Sequence, residues 1–116
     1  HANAAGELGV VGVFMEGGAE DNAAIQAIWD HLPTTEAAPV TIAGVTINAG
    51  DLLSPDTDGW AFEGSLTTPP CSGGVSWFLY SDPLSITDAQ LTTFEAIFDH
   101  NYRPTQPLNG RTLGGL

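Results

Sequence analysis

The sequence predicts an α+β chain, mainly β, with helices at its periphery. Three observations predict it. Short β-prone apolar runs are separated by turns marked with glycine and proline. Two stretches carry apolar residues at helical spacing, and the C-terminal segment is too rich in Pro, Gly and Asn to continue either pattern. A length of 116 residues suits one domain, and a hydrophobic content of 42% argues against disorder.

The elements follow in chain order. Gly9 to Met15 reads as a nearly continuous apolar strand, covered on both faces and broken at Gly17-Gly18. Residues 21–32 read as an amphipathic helix, because Ile25, Ile28, Trp29 and Leu32 fall on one stripe. Asp21 or Asn22 can cap its start, and Pro33 ends it. Val40-Thr41-Ile42 and Val45-Thr46-Ile47 around Ala43-Gly44 suit a short hairpin. Residues 54–59 form a turn, and Trp60-Ala61-Phe62 a strand. After a flexible Ser72-Gly73-Gly74, Val75, Trp77 and Leu79 alternate with Ser76, Phe78 and Tyr80, giving a strand with two different faces. Residues 88–98 read as a second helix. Thr87 with Gln90 fits a capping box, Ile86 with Leu91 a hydrophobic staple, and Leu91, Phe94 and Phe98 a buried stripe. The tail from Asn101 is expected to be extended and irregular.

Charge narrows the partners. Fourteen acids face two bases, a net charge of −12, with no lysine. Phosphate-backbone binding needs cationic side chains, so nucleic acid is not an expected partner, nor is an anionic membrane surface. No apolar run is long enough for a membrane span, so no membrane insertion is expected. The acids read as a solvating surface. Both cations, Arg103 and Arg111, lie near the C-terminus, which points to structural ion pairs or backbone contacts. A chain beginning His1-Ala2 reads as processed or cut rather than as a natural start. The one cysteine, Cys71, is either a reduced thiol or half of a disulfide whose partner lies elsewhere.

The richest stretch is Gly64-Ser65-Leu66-Thr67-Thr68-Pro69-Pro70-Cys71. Two β-branched hydroxyl residues lead into a double proline, which fixes φ and removes backbone donors, so Thr67 and Thr68 are held on a stiff loop. This run resembles the GSLTTPP signature of the α-class carbonic anhydrases. Asn101-Tyr102-Arg103-Pro104-Thr105-Gln106-Pro107-Leu108-Asn109-Gly110-Arg111 looks like the same family's C-terminal N-x-R-P-x-Q-P-L-x-x-R segment. A weaker match covers His1-Ala2-Asn3 and residues 6–14. The three matches run in family order. They make residues 1–113 resemble the C-terminal half of one such domain, with 114–116 as a tail or linker start.

The resemblance implies a central, mostly antiparallel sheet with peripheral helices. It also implies zinc-dependent, reversible hydration of CO2 to bicarbonate and a proton in the intact domain, but an inactive isolated fragment. Thr67 is the implied catalytic residue, accepting a hydrogen bond from zinc-bound hydroxide and donating its own proton to a buried glutamate upstream. A threonine hydroxyl has one donor, so a carboxylate that takes it leaves only acceptor capacity for the hydroxide. On the residues alone, a threonine in a tight loop bonds its own backbone. Thr68 is implied to contact substrate in the same cleft, and Leu66, Val75, Trp77 and Val10 to line an apolar CO2 pocket. Without the resemblance these four read as ordinary core. The Pro69–Pro70 bond is implied to be cis. Cys71 is implied to pair with a cysteine outside the chain, which would make the protein periplasmic or secreted. Phe62 departs from the pattern, since the family commonly has tyrosine there.

The resemblance places all three zinc-binding histidines upstream of His1, so no metal ligand is expected in this chain and the missing N-terminal half is its expected partner. His1, His31 and His100 are dispersed and lack ligand spacing. A rival reading is a carbonic-anhydrase-like subunit that has lost its ligands and serves a structural or binding role.

Overall fold

The computed structural model describes residues 1–35 and 38–116. Strands β1 (Leu8–Gly18), β2 (Gly59–Ser65), β3 (Gly73–Thr87) and β4 (Gly114–Gly115) join in one sheet of order β1-β3-β2-β4. Two helices, α1 (Ala23–Trp29) and α2 (Asp88–Glu95), and a 3-10 turn at Ala49–Leu52 complete the secondary structure. The described chain is mostly strand, 32% against 17% helix, and its sheet is mixed, with both pairings of β2 antiparallel. The chain divides into two compact units. The first is His1–Phe14, Ser54–Pro83 and Tyr102–Leu116; the second is Met15–Leu53 and Leu84–Asn101.

In the first unit, the β2–β3 ladder runs from Gly59 opposite Tyr80 to Gly64 opposite Val75, and the register shifts between Gly64 and Ser65. β3 extends further at both ends than the sequence pattern indicates, taking in Gly73 and Gly74 and continuing to Thr87. Pro83 is tolerated because the ladder with β2 ends at Tyr80, so no hydrogen bond to β2 is asked of its missing N–H. Val75 is fully buried. Gly59 is compulsory by space: a Cβ there would lie 2.2 Å from the Leu79 carbonyl oxygen and 2.9 Å from the Tyr80 Cα. Gly114 and Gly115, assigned from the sequence to a tail or linker start, pair with Ala61 and Trp60.

The second unit is built on α1 and α2. Asn22 caps α1, its side chain accepting from the Ile25 N–H at 3.0 Å, and the helix ends at Trp29, three residues before its expected end. The chain then continues in turns, with Leu32 N donating to Trp29 O. Ile25 and Ile86 are buried, and Phe94 stacks on Trp29 and lies tilted against Phe98, at ring distances of 5.5 and 5.0 Å. The expected capping box on α2 is present, and the staple residues Ile86 and Leu91 line one apolar cavity of about 260 Å³. Gln90 does more than cap. It is buried, its Oε1 accepts from Thr87 N (3.1 Å) and Asn22 N (3.5 Å), and its Nε2 donates to Asn22 O (3.2 Å) and Gln26 Oε1 (3.0 Å). Its carbonyl accepts from Trp29 Nε1 at 2.6 Å. One side chain thus ties the two helices together.

Three sequence expectations are corrected. β1 is not covered on both faces: Val11, Phe14 and Met15 are exposed. Among the described residues β1 stands at the edge of the sheet, next to β3. Gly17 and Gly18 do not break β1; they let neighbours approach, since a Cβ would meet Asp88 Oδ1 at 2.8 Å and Ser85 Oγ at 2.9 Å respectively. The runs around Ala43-Gly44 do not form a hairpin. Gly44 adopts a positive φ of 78° and Val45 N donates to Ile42 O across the turn, but the flanking three-residue runs are exposed and form no ladder among the described residues, too short to gain from one.

Replacing Gln90 with Ala takes four hydrogen bonds from its part-buried partners, and is expected to lower the unfolding free energy of the native protein by about 2–3 kcal/mol, read as a shift in the urea midpoint. Gly59→Ala meets backbone that cannot rotate away and is expected to cost about 1–3 kcal/mol by the same measurement. Gly115→Ala, with open space around its Cβ, is expected to stay within about 0.5 kcal/mol.

Candidate functional site

The candidate site lies where β2 runs into the loop 66–72, and it is contained in the first unit. Two backbone bonds hold the loop: Leu66 N to Ser72 O at 2.9 Å at its root, and Cys71 N to Thr68 O at 2.8 Å at its tip. The intervening Pro69–Pro70 peptide is cis, as the family resemblance implies, and Cys71 takes φ +56°. Thr67 and Thr68 are carried between these two anchors and are exposed. Among the described residues, no hydrogen bond involves the Thr67 hydroxyl, so it is not turned back onto its own backbone.

Strand alternation supplies the wall beside the loop. Phe62 faces Trp77 across the ladder, and Trp60 faces Leu79, all on one sheet face. The Phe62 and Trp77 rings stack at 6.2 Å, 6° from parallel. A Cβ at Gly64 would sit 2.8 Å from Trp77 Cδ1, so only glycine lets the indole lie across β2 and donate from Nε1 to Ser65 O at 3.0 Å.

The irregular tail closes the other side. Asn109 and Gly110 both take positive φ (51° and 80°), and Arg111 N donates to Leu108 O, an Asn-Gly turn of the type I′ kind. The turn aims Arg111 inward. Its guanidinium donates to Glu63 O (2.8 Å), Pro107 O (2.9 Å) and Leu108 O (2.8 Å). Arg103 Nη1 donates to Ser65 Oγ at 2.6 Å. Of the two options read from the sequence, the arginines make neutral-oxygen contacts rather than ion pairs, among the described residues.

Together these pieces enclose an open cavity of about 420 Å³. Trp60, Phe62, Trp77 and Leu79 form an apolar side, Thr67 and Ser65 a hydroxyl edge, and Arg103, Gln106 and Arg111 part of the tail side. The arrangement suits a small molecule with an apolar body and a polar end.

Of the residues singled out from the sequence, the structure brings Thr67 and Trp77 into this cavity. Thr68, Leu66, Val75 and Val10 lie outside its lining: Thr68 is exposed on the loop, Leu66 and Val10 are half-buried, and Val75 is core. Cys71 is half-buried and has no disulfide partner among the described residues. Ser65 was missed. Its signal was the register shift beside it, which no one-dimensional pattern displays. Phe62, which departs from the family's tyrosine, stacks on the Trp77 indole.

The described residues do not fit a zinc site. His1, His31 and His100 are all exposed, and His100 contacts Asp99. Among the described residues, no group of three or more His, Cys, Asp or Glu could hold a metal ion.

The profile of the eukaryotic-type carbonic anhydrases matches residues 1–114. A carbonic anhydrase of Nostoc sp. is 38% identical over 113 residues, covering 97% of this chain and 42% of the relative. One from Klebsiella pneumoniae is 43% identical over 115 residues, covering 97% and 46%. Among solved structures, a hyperthermostable carbonic anhydrase from a hydrothermal vent chimney superposes with a TM-score of 0.89 at 37% identity, covering 100% of this chain and 51% of that one. The α-carbonic anhydrase of Thermovibrio ammonificans, solved with the inhibitor sulfanilamide, gives 0.88 at 36%, covering 97% and 50%. This chain therefore spans about half the length of the relatives it matches. With that profile running nearly end to end, the chain belongs to the carbonic anhydrase family of the eukaryotic type, the α class.

Proposed function

We propose that this chain is the C-terminal half of a carbonic anhydrase domain whose whole catalyses reversible hydration of CO2 to bicarbonate and a proton. The observation that carries the reading is Thr67: a hydroxyl with no partner among the described residues, held on a doubly anchored loop beside an aromatic wall. With its donor taken by a carboxylate from the missing half, Thr67 presents only acceptor lone pairs to the attacking hydroxide and so fixes that hydroxide's direction. In this reading Trp77 supplies apolar surface for CO2 within the cavity, with the half-buried Leu66 and Val10 and the core residue Val75 outside its lining, and Thr68 contacts substrate.

Zinc belongs to the proposal for the whole domain, held by residues upstream of His1. The same reading makes the missing N-terminal half the partner of this chain. It pairs Cys71 with a cysteine outside residues 1–116 and sets the protein in a periplasmic or secreted compartment. Exposure favours such a partner: Phe14, Trp60, Phe78 and Leu108 are large apolar residues left 40–49% exposed.

The test is a kinetic comparison in the native protein. Thr67→Ala is expected to lower kcat/KM for CO2 hydration about 100-fold, while Thr67→Ser, which keeps the hydroxyl, retains most of it. The urea midpoint, measured alongside, separates a folding loss from a chemical one. A Thr67→Ala protein with undiminished activity would remove Thr67 from the site, and a native protein without hydration activity would return the non-catalytic reading.

A further inference from the structure

Arg103 lies 36 residues beyond Thr67 in the chain, yet it reaches the peptide that carries it. Its Nη1 donates to Ser65 Oγ at 2.6 Å. The Ser65 hydroxyl in turn lies 2.9 Å from Leu66 O. The proton assignments here are fixed by chemistry. A guanidinium has donors only and a carbonyl oxygen accepts only, so Ser65 must accept from Arg103 and donate to Leu66 O. Leu66 O is the oxygen of the Leu66–Thr67 peptide. Its direction sets the plane in which the Thr67 N–H lies and hence the direction of the Thr67 side chain.

Two further bonds make the relay rigid. Trp77 Nε1 donates to Ser65 O at 3.0 Å, and Leu66 N donates to Ser72 O at 2.9 Å. Ser65 is therefore held through both its carbonyl and its hydroxyl at the position where the β2–β3 register shifts. A charged donor makes the first bond short and strong. Without it the Ser65 hydroxyl is free to rotate, and the Leu66–Thr67 peptide loses the donor that fixes its plane. Arg103, Ser65 and Thr67 also line the same cavity.

We propose that Arg103 is a positioning residue for Thr67, acting through Ser65 Oγ on the Leu66–Thr67 peptide. The proposal rests on the catalytic reading of Thr67 above. In the native protein, Ser65→Ala and Arg103→Met are each expected to lower kcat for CO2 hydration about 10- to 100-fold with little change in KM. The double variant is expected to be no worse than the poorer single one, and neither change is expected to lower the rate further in a Thr67→Ala background. Ser65→Ala removes the relay while leaving the cation of the tail in place, so a folding defect in Arg103→Met alone does not decide the matter. The second readout is independent of activity: the amide and methyl NMR signals of Thr67 are expected to shift or broaden in both variants. Multiplying losses in the double variant, or Thr67 signals unmoved by Ser65→Ala, would overturn the proposal. A native protein without hydration activity would instead overturn the functional reading, while the NMR comparison still decides whether Arg103 sets the geometry of Thr67.

Discussion

Two guanidinium groups hold an otherwise irregular tail against the end of β2, and the candidate site depends on that attachment. Residues 102–113 form neither helix nor strand, so their backbone has no ladder of its own. A chain with fourteen acids offers its arginines many surface carboxylates, but such a pair is worth little in water. Instead Arg111 gathers three carbonyl oxygens and Arg103 takes a hydroxyl. Hydrogen bonds from charged donors contribute about 1.5–3 kcal/mol each, enough to order a segment that propensity leaves open. Planar, donor-only chemistry matters as much as charge. It lets one side chain bridge Glu63, Pro107 and Leu108, and lets the other polarise Ser65 toward Leu66.

Much of the apolar side-chain surface lies open. Ile25, Val75 and Ile86 are buried, while many larger side chains, Phe14, Met15, Trp60 and Phe78 among them, stay exposed. Such a surface is costly for a chain standing alone, and it agrees with coverage of only about half of each relative. The elements nevertheless form, because their local determinants are complete. The Thr87–Gln90 box starts α2, Asn22 starts α1, Asn109-Gly110 turns the tail, and close-contact glycines at 12, 59 and 64 admit Leu79, the β3 backbone and Trp77. Gln90 then couples the two helices by hydrogen bonds, alongside the Trp29–Phe94 stack.

Much of this was legible in the sequence where the signal is local. The capping box, the stripe of Ile25 and Trp29, the alternation of Val75, Trp77 and Leu79, and the rigid Thr-Thr-Pro-Pro loop all depend on residues within a few positions of one another. What escaped the sequence is what depends on neighbours far along the chain. Gly17 and Gly18 read as breakers because a glycine pair looks the same whether it ends a strand or admits Asp88 and Ser85. Val40 to Ile47 read as a hairpin because β-branched residues favour strands, but no adjacent ladder stabilises them. Ser65 was invisible as a relay because its partners, Arg103 and Trp77, are 38 and 12 residues away.

The central claim is that this chain brings the threonine loop and the aromatic wall, while the missing half brings the metal and closes the apolar face. Zinc content and CO2 hydration, measured together on residues 1–116 alone and on the intact protein, test it most directly. The account predicts one zinc and full activity in the intact protein, and neither in the isolated chain. Stoichiometric zinc with hydration activity in residues 1–116 alone would contradict it.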